Sequence, residues 1–452
     1  MNALTRIARL SAAFLGSNLA RGAIAFGLSL TVGRALGVDR FGRWILCTTW
    51  ASTLTVAVDL GLGLLLARDG ARGRDSGFGV RDSLGALCGS ALVLRLALAI
   101  PAAAAMAACA RWIVADADTV RGLQIAAVLG VAGAAYGCLG SALRSQPAWV
   151  PAVLTLETLW HAAQLVASWL WLRVAAAPGV PALLAIAVAV QAAQIVTALV
   201  VWHAACDARD AIRVPGWRAT RGTLLRALPF AAAGIVANLQ TRVAPLMLGY
   251  LSTSGELGAF AAAARFGTTA RLAPGAIFAG ALPVLSQEHD KGDANARAAF
   301  RSFDRAFAAL ALLTTAAGVL LAGPLLRLVY GPAFAAAAPA LVWISLGLAP
   351  TLMNSATKIA LYAAGEERLA VAWSAVSLAT QSAALLWLIP RAGASGAAIA
   401  MAIGEAVIWL PLRRARTARR MPRPSSRRHA PAPTTERPRP SVGDAPDPAA
   451  AR

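Results

Sequence analysis

Apolar runs of about 20 residues follow one another along nearly the whole chain, and that recurrence most limits the folds open to it. As a helix, each run is long enough to cross a hydrocarbon core of roughly 30 Å. Hydropathy places helices near 10–32, 41–67, 82–107, 121–142, 149–172, 181–205, 224–251, 255–285, 303–323, 335–363, 367–389 and 393–412. With 58% hydrophobic and only 14% charged residues, the chain lacks the polar surface that a water-soluble fold requires. The expectation is an all-α integral membrane protein of about 12 transmembrane helices.

The net charge of +21 does not read as a nucleic-acid footprint, because the arginines sit in alternate connections and in one tail. If the N-terminus is cytoplasmic, the inside segments collect Arg68, Arg72, Arg74 and Arg81, then Arg209, Arg213, Arg218, Arg221 and Arg226, then Lys291, Arg297, Arg301 and Arg305. The outside connections are poorer in Lys and Arg, so both termini are expected in the cytoplasm. Arg6 and Arg9 precede the first run without a small-residue cleavage site, which suits an uncleaved first helix. From about Arg413 the chain turns rich in Arg, Pro and Ser. It reads as a disordered cytoplasmic tail attracted to anionic lipid heads. Cys47, Cys88, Cys109, Cys138 and Cys206 lack metal-ligand spacing and read as small core residues. No Walker A, HExxH or CxxC pattern is present, so no metal and no cofactor is expected.

The halves look related. Sliding the sequence on itself by 216 residues lays "GRALGVDRFGRW" at Gly33 on "GYLSTSGELGAF" at Gly249, with Phe41 on Leu257, Gly42 on Gly258, Trp44 on Phe260 and Trp50 on Phe266. Both copies fall at the tight turn between a half's first and second helices. Internal repeats of this kind are a transporter architecture with a site between the halves. The expected organisation is a cytoplasmic N-terminus over 1–9, a six-helix bundle over 10–205, a cytoplasmic linker over 206–223, a second bundle over 224–412 and the tail over 413–452.

"LGVDRFGRW", then "DLGL" at Asp59–Leu62, "LMLGYLSTSGELGAFAAAARF" at Leu246–Phe266, "ALPVLSQ" at Ala281–Gln287, "LVYGPAFAAAAPAL" at Leu328–Leu341 and "GASGAAIAMAIGE" at Gly393–Glu405 together resemble the Wzx-type polysaccharide flippases of the MATE-like superfamily. The resemblance covers nearly the whole membrane part. It implies two six-helix bundles around a central cavity that opens alternately to each side. The cargo it implies is an undecaprenyl-pyrophosphate-linked oligosaccharide bound for surface polysaccharide. It also implies a bacterial cytoplasmic (inner) membrane location, contact with membrane lipids, polysaccharide polymerase and assembly proteins as candidate partners, no nucleic acid, and a monomer. Many members carry an acidic residue in the seventh helix; here the run is "QTRVAPLMLGYL", with Arg242 and Ala244.

An ionisable side chain at mid-membrane costs about 2.5–3.5 kcal/mol on insertion scales, so each one asks for a cavity, a partner or a function. The bases are Arg21, Arg95, Arg242, Arg265, Arg271 and Lys358, and the acids Asp59, Glu157 and Glu405. The excess of bases suits a pyrophosphate, which Arg binds bidentately. Arg21, Arg242 and Arg265 lead as cavity residues, with Arg271, Lys358 and Asn354 also assigned to substrate. Arg95, Arg271 and Lys358, nearer predicted helix ends or less well placed, lean towards an interhelical ion pair or a snorkelling role. Glu157, His161 and Gln164 recur at helical spacing as a polar stripe that could line the cavity or couple protons. Asp59 suits a local turn or a substrate contact. Pro229, Pro245 and Pro274 invite kinks in helices seven and eight.

Three other readings stay open. A multidrug exporter of the same superfamily is disfavoured by the cationic cavity. A membrane glycosyltransferase or ligase would call for a large outside loop or an acidic metal motif. The third is a non-transporting scaffold of a polysaccharide assembly complex.

Overall fold

The computed structural model describes residues 3–72, 84–146, 148–205, 211–271, 293–363 and 367–418, and all regular structure among them is helical. The elements are α1 (Ala3–Ala57), α2 (Leu62–Arg72), α3 (Leu84–Ile113), α4 (Ala117–Arg144), α5 (Val150–Val174), α6 (Val180–Ala205), α7 (Trp217–Leu251), α8 (Ser254–Ala270), α9 (Asp293–Val329), a 3₁₀ turn (Pro332–Ala337), α10 (Ala338–Ala363) and α11 (Glu367–Ala418). Two of these are pairs of helices joined through a single glycine. Gly37 in α1 (φ 74°, ψ 175°) and Gly393 in α11 (φ 49°, ψ −125°) leave the helical region and turn the chain, a conformation glycine adopts without a Cβ penalty. Dividing both there, and counting the eleven-residue α2 with the second limb of α1, yields the twelve expected crossings in two halves of six.

Among the described residues seven helices are long and apolar enough to span a membrane, including the kinked stretches Ala13–Ala57 and Arg368–Leu412. Helices α5, α7 and α8, which carry Glu157, Arg242 and Arg265, are not among them. Alternate crossings give the bundle a tight-turn end, holding Gly37, residues 114–116, 175–179 and 252–253, Gly331 and Gly393. At the opposite, terminal end lie the starts of α1, α3, α7 and α9 and the ends of α2, α6, α8 and α11.

Three boundaries depart most from the sequence reading. The expected helix over 41–67 is interrupted at Val58–Gly61, where Leu60 (φ 44°) and Gly61 (φ 77°) turn left-handed and the Asp59 carboxylate accepts the Gly63 N–H at 3.2 Å. A short acidic side chain that bonds its own backbone competes with the helix ladder. Helix α7 starts at Trp217 rather than near 224, and it stays helical through Pro229 and Pro245 where breaks were expected. Helix α9 starts at Asp293 rather than 303. Of the helix expected over 255–285, residues past Arg271 lie outside the described part, as do Pro274 and nearly all of the tail.

The first half meets the second chiefly through α1 on α7 and α8, and through α2 and α3 on α7. At the tight-turn end the crossing is made by Gly42 of α1 lying on the α8 backbone at Ser254 and Gly258. Beside it Phe26 and Phe41 of α1 interleave with Phe266, Tyr330 and Phe334 at ring-centroid separations of 5.6–6.5 Å. The Ser29 and Tyr330 hydroxyls hydrogen-bond at 3.0 Å, and Arg34 donates to the Leu328 and Val329 carbonyls at the end of α9, where a cation suits the helix dipole. Two further contacts pin the last turn of each half. Arg40 Nη1 donates to the Pro178 carbonyl at 3.4 Å, and Glu256 Oε2 accepts the Ala394 N–H at 2.6 Å. At the terminal end Leu62, Leu65, Leu66, Leu87 and Cys88 pack with Leu224 and Ala227, and Arg226 of α7 approaches Asp69 of α2 at 3.7 Å.

Candidate functional site

In the first half the polar residues collect around one carboxylate. The hairpin between α4 and α5 brings Arg144, the last residue of α4, back beside Glu157, two turns into α5. Ser17 of α1 bonds to the Thr158 hydroxyl (3.1 Å) and the Leu154 carbonyl (3.3 Å), which lays Arg21 over the same spot. Glu157 Oε2 accepts Arg21 Nη1 at 2.7 Å, and Oε1 accepts Arg144 Nη1 and, at 2.8 Å, the Tyr136 hydroxyl. Arg21 Nη2 also donates to Asn18 Oδ1 at 2.6 Å. Glu157 is 2% exposed, whereas Arg21 and Arg144 are 26% and 27% exposed. His161 Nδ1 lies 2.7 Å from the Glu157 backbone carbonyl, not on the carboxylate. Gln164 follows on the same helix, half-buried.

A second pair in this half has the reverse exposure. Arg95 of α3, 3% exposed, is ion-paired with Asp59, 36% exposed, and also donates to the Ala134 carbonyl at 3.3 Å. The pair ties α3 and α4 to the interruption after α1.

The second half gathers its own cluster between α7, α10 and α11. Glu405 Oε1 accepts Gln240 Nε2 at 2.9 Å, and Oε2 accepts Asn354 Nδ2 at 2.7 Å. Gln240 also donates to Ser377 Oγ (2.9 Å), and Gln381 donates to the Gln240 carbonyl (3.2 Å). Arg271 reaches the Thr351 hydroxyl at 3.5 Å. Together with Gln240, Gln381 and Glu405 it lines a cavity of about 60 Å³. Asn354 is 1% exposed, and its Oδ1 has no hydrogen-bond partner among the described residues.

Arg242 and Arg265 are half-buried, as is Lys358. Among the described residues none of the three has a carboxylate partner, and the buried Arg242 Nε donates to nothing. The structure therefore joins Arg21 to Glu157, Asp59 to Arg95, and Asn354 to Glu405 beside Arg271, and it leaves Arg242, Arg265 and Lys358 apart from all three groups. Arg144, Tyr136, Gln240 and Gln381 were not expected. Arg144 lies just past the hydropathy end of its helix and counts as a loop charge. The two glutamines and the tyrosine are neutral and give no charge signal.

A family model described as "Polysaccharide biosynthesis protein" matches residues 9–289, and one described as "Lipid II flippase MurJ" matches residues 262–422. A search among curated proteins finds no match. Solved structures share the fold at low identity. An inward-facing multidrug resistance MATE family transporter of the MOP superfamily is 15% identical with a TM-score of 0.70, covering 88% of this chain and 95% of that one. Lipid II flippase MurJ in an inward closed conformation is 12% identical with a TM-score of 0.69, covering 90% and 87%. A MOP superfamily transporter from Pyrococcus furiosus, described as having a binding pocket of reverse polarity, is 17% identical with a TM-score of 0.56, covering 91% and 96%. The first family model spans well over half of the chain, so this multi-pass membrane protein, with its two related halves and its buried arginines, belongs to the polysaccharide biosynthesis protein family.

Proposed function

We propose that the protein moves an undecaprenyl-pyrophosphate-linked oligosaccharide across the bacterial cytoplasmic membrane by alternating access, supplying surface polysaccharide synthesis. The observation that carries this reading is the uncompensated positive charge within the bundle: Arg242, Arg265 and Lys358 have no carboxylate partner among the described residues, and Arg21 and Arg144 share a single one. Guanidinium groups in a low-dielectric interior bind phosphate oxygens strongly and in a fixed geometry. The family match supports a role in polysaccharide synthesis, and the likeness to Lipid II flippase MurJ supports a lipid-linked cargo. The basic connections of the terminal end support both termini in the cytoplasm. Polymerase and assembly proteins would then take the product on the far side.

The MATE-like fold supports a second reading, export of a small molecule or drug, and one assay separates the two. Full-length protein in vesicles is given a fluorescent undecaprenyl-pyrophosphate glycan or a cationic dye. Glycan transfer that falls in folded Arg242→Ala protein supports the flippase; dye export under an ion gradient, with no glycan transfer, would move the reading to an exporter.

A further inference from the structure

The two ion-paired carboxylates of the first half differ in what a ligand would meet. At Asp59–Arg95 the cation is buried and the acid is open, so nothing anionic can reach the guanidinium. At Glu157 the acid is buried and both cations are about a quarter exposed. The carboxylate is covered by the two guanidiniums, of which Arg21 also donates Nη2 to Asn18. Arg144 Nη2 has only a 3.5 Å contact with Ser141 Oγ, and the group carries one more positive charge than negative.

We infer that Glu157 is a displaceable counter-ion, and that Arg21 and Arg144, which it holds apart from other acids, form the subsite that takes the pyrophosphate of the lipid carrier. This rests on the carrier reading given above. A pyrophosphate offers more oxygens and more charge than one carboxylate, so it competes for both forks at once. Glu157 gives up Arg21 Nη1 and Arg144 Nη1 and keeps the Tyr136 hydroxyl. On the far side of the membrane Glu157 takes the arginines back, which sets the release of cargo. Arg144 thus joins Arg21 as a substrate-binding residue, and Glu157 acts through both.

The test uses full-length protein in lipid nanodiscs with farnesyl pyrophosphate as probe, and gel filtration to confirm folding. Glu157→Gln is expected to tighten binding about tenfold, and Arg144→Gln to weaken it by a similar factor. Tyr136→Phe removes the one donor that Glu157 keeps when the arginines leave, without touching a charge, and is expected to weaken binding about threefold. In the vesicle assay Glu157→Gln lowers both the half-saturating glycan concentration and the maximal rate, a split that simple loss of structure does not produce. If Glu157→Gln weakens binding as Arg144→Gln does, the carboxylate only positions the arginines and the inference falls. If the native protein binds the probe and Arg144→Gln binds it equally, the subsite lies elsewhere; the inference falls and the carrier reading stands. A native protein that fails to bind the probe overturns both.

Discussion

Gly42 and Gly258 meet backbone to backbone where the halves cross, and each is the other's counterpart in the 216-residue repeat. A Cβ on Gly42 would land on the Ser254 carbonyl, and one on Gly258 on the Val38 carbonyl. Val38 and Ser254 are themselves repeat counterparts, so the contact is reciprocal, as in a twofold interface between identical subunits.

Neither side chain could rotate away from such a clash, because the obstacle is main chain. Gly42→Ala and Gly258→Ala are each expected to destabilise the protein by about 1–3 kcal/mol, read as a fall in melting temperature in detergent. Because the two act on one contact, the double variant should cost less than the sum of the single changes.

Tyr330 closes the tight-turn end by bonding to Ser29 and packing among Phe26, Phe41, Phe266 and Phe334. Tyr330→Ala removes the centre of that cluster. In a Ser29→Cys background it is expected to raise the rate of labelling by a membrane-impermeant maleimide several-fold, whereas the Ser29→Cys protein alone labels slowly.

The Asp59–Arg95 pair should respond unequally to loss of either partner. Without Asp59 the guanidinium stays buried and unpaired, so Asp59→Ala is expected to cost about 3 kcal/mol. Arg95→Leu leaves an acid that already reaches solvent and should cost clearly less. Thermal unfolding of both variants checks the order.

Asp116 caps α4: the Thr119 hydroxyl (2.6 Å), the Thr119 N–H (2.9 Å) and Arg43 (3.0 Å) all reach its Oδ2. The Thr119 hydroxyl bond, first among these causes, holds the carboxyl below the usual carboxylate range. A folded pKa depressed below the unfolded value stabilises above the unfolded pKa and is lost as pH falls through the folded one. Asp116→Ala is therefore expected to cost about 1 kcal/mol at neutral pH. The gap between the native and variant melting temperatures should narrow as pH drops below about 4.

Hydropathy located twelve crossings because lipid demands an unbroken apolar run for each, and it found the Gly37 and Gly393 turns as gaps between runs. It missed the interruption at Leu60–Gly61, since the "LGLGL" that follows Asp59 is apolar throughout and a left-handed φ has no hydropathy. The repeat at Gly42 and Gly258 was legible because close backbone approach tolerates no side chain. The sharing of Glu157 between Arg21 and Arg144 was not, because it joins three helices and one of its members sits at a helix end. Of the Glu405 partners, Asn354 was singled out from the sequence, whereas Gln240 is a neutral amide that hydropathy and charge cannot tell from filler.

Arg40 and Glu256 also occupy counterpart positions, and so do the residues they hold, Pro178 and Ala394, at the same offset. The place of the contact has been kept while its polarity has been inverted, a donor reaching a carbonyl in one half and an acceptor reaching an N–H in the other. Proline at 178 has no N–H to offer, so an acid could not do at Arg40 what it does at Glu256. Each contact lies within its own half, so two copies of the first half joined in tandem would keep the glycine crossing and carry an arginine fastening at both turns. The crossing joins the halves and binds both copies to the same glycine, whereas the fastening answers only to its own half and has been free to invert.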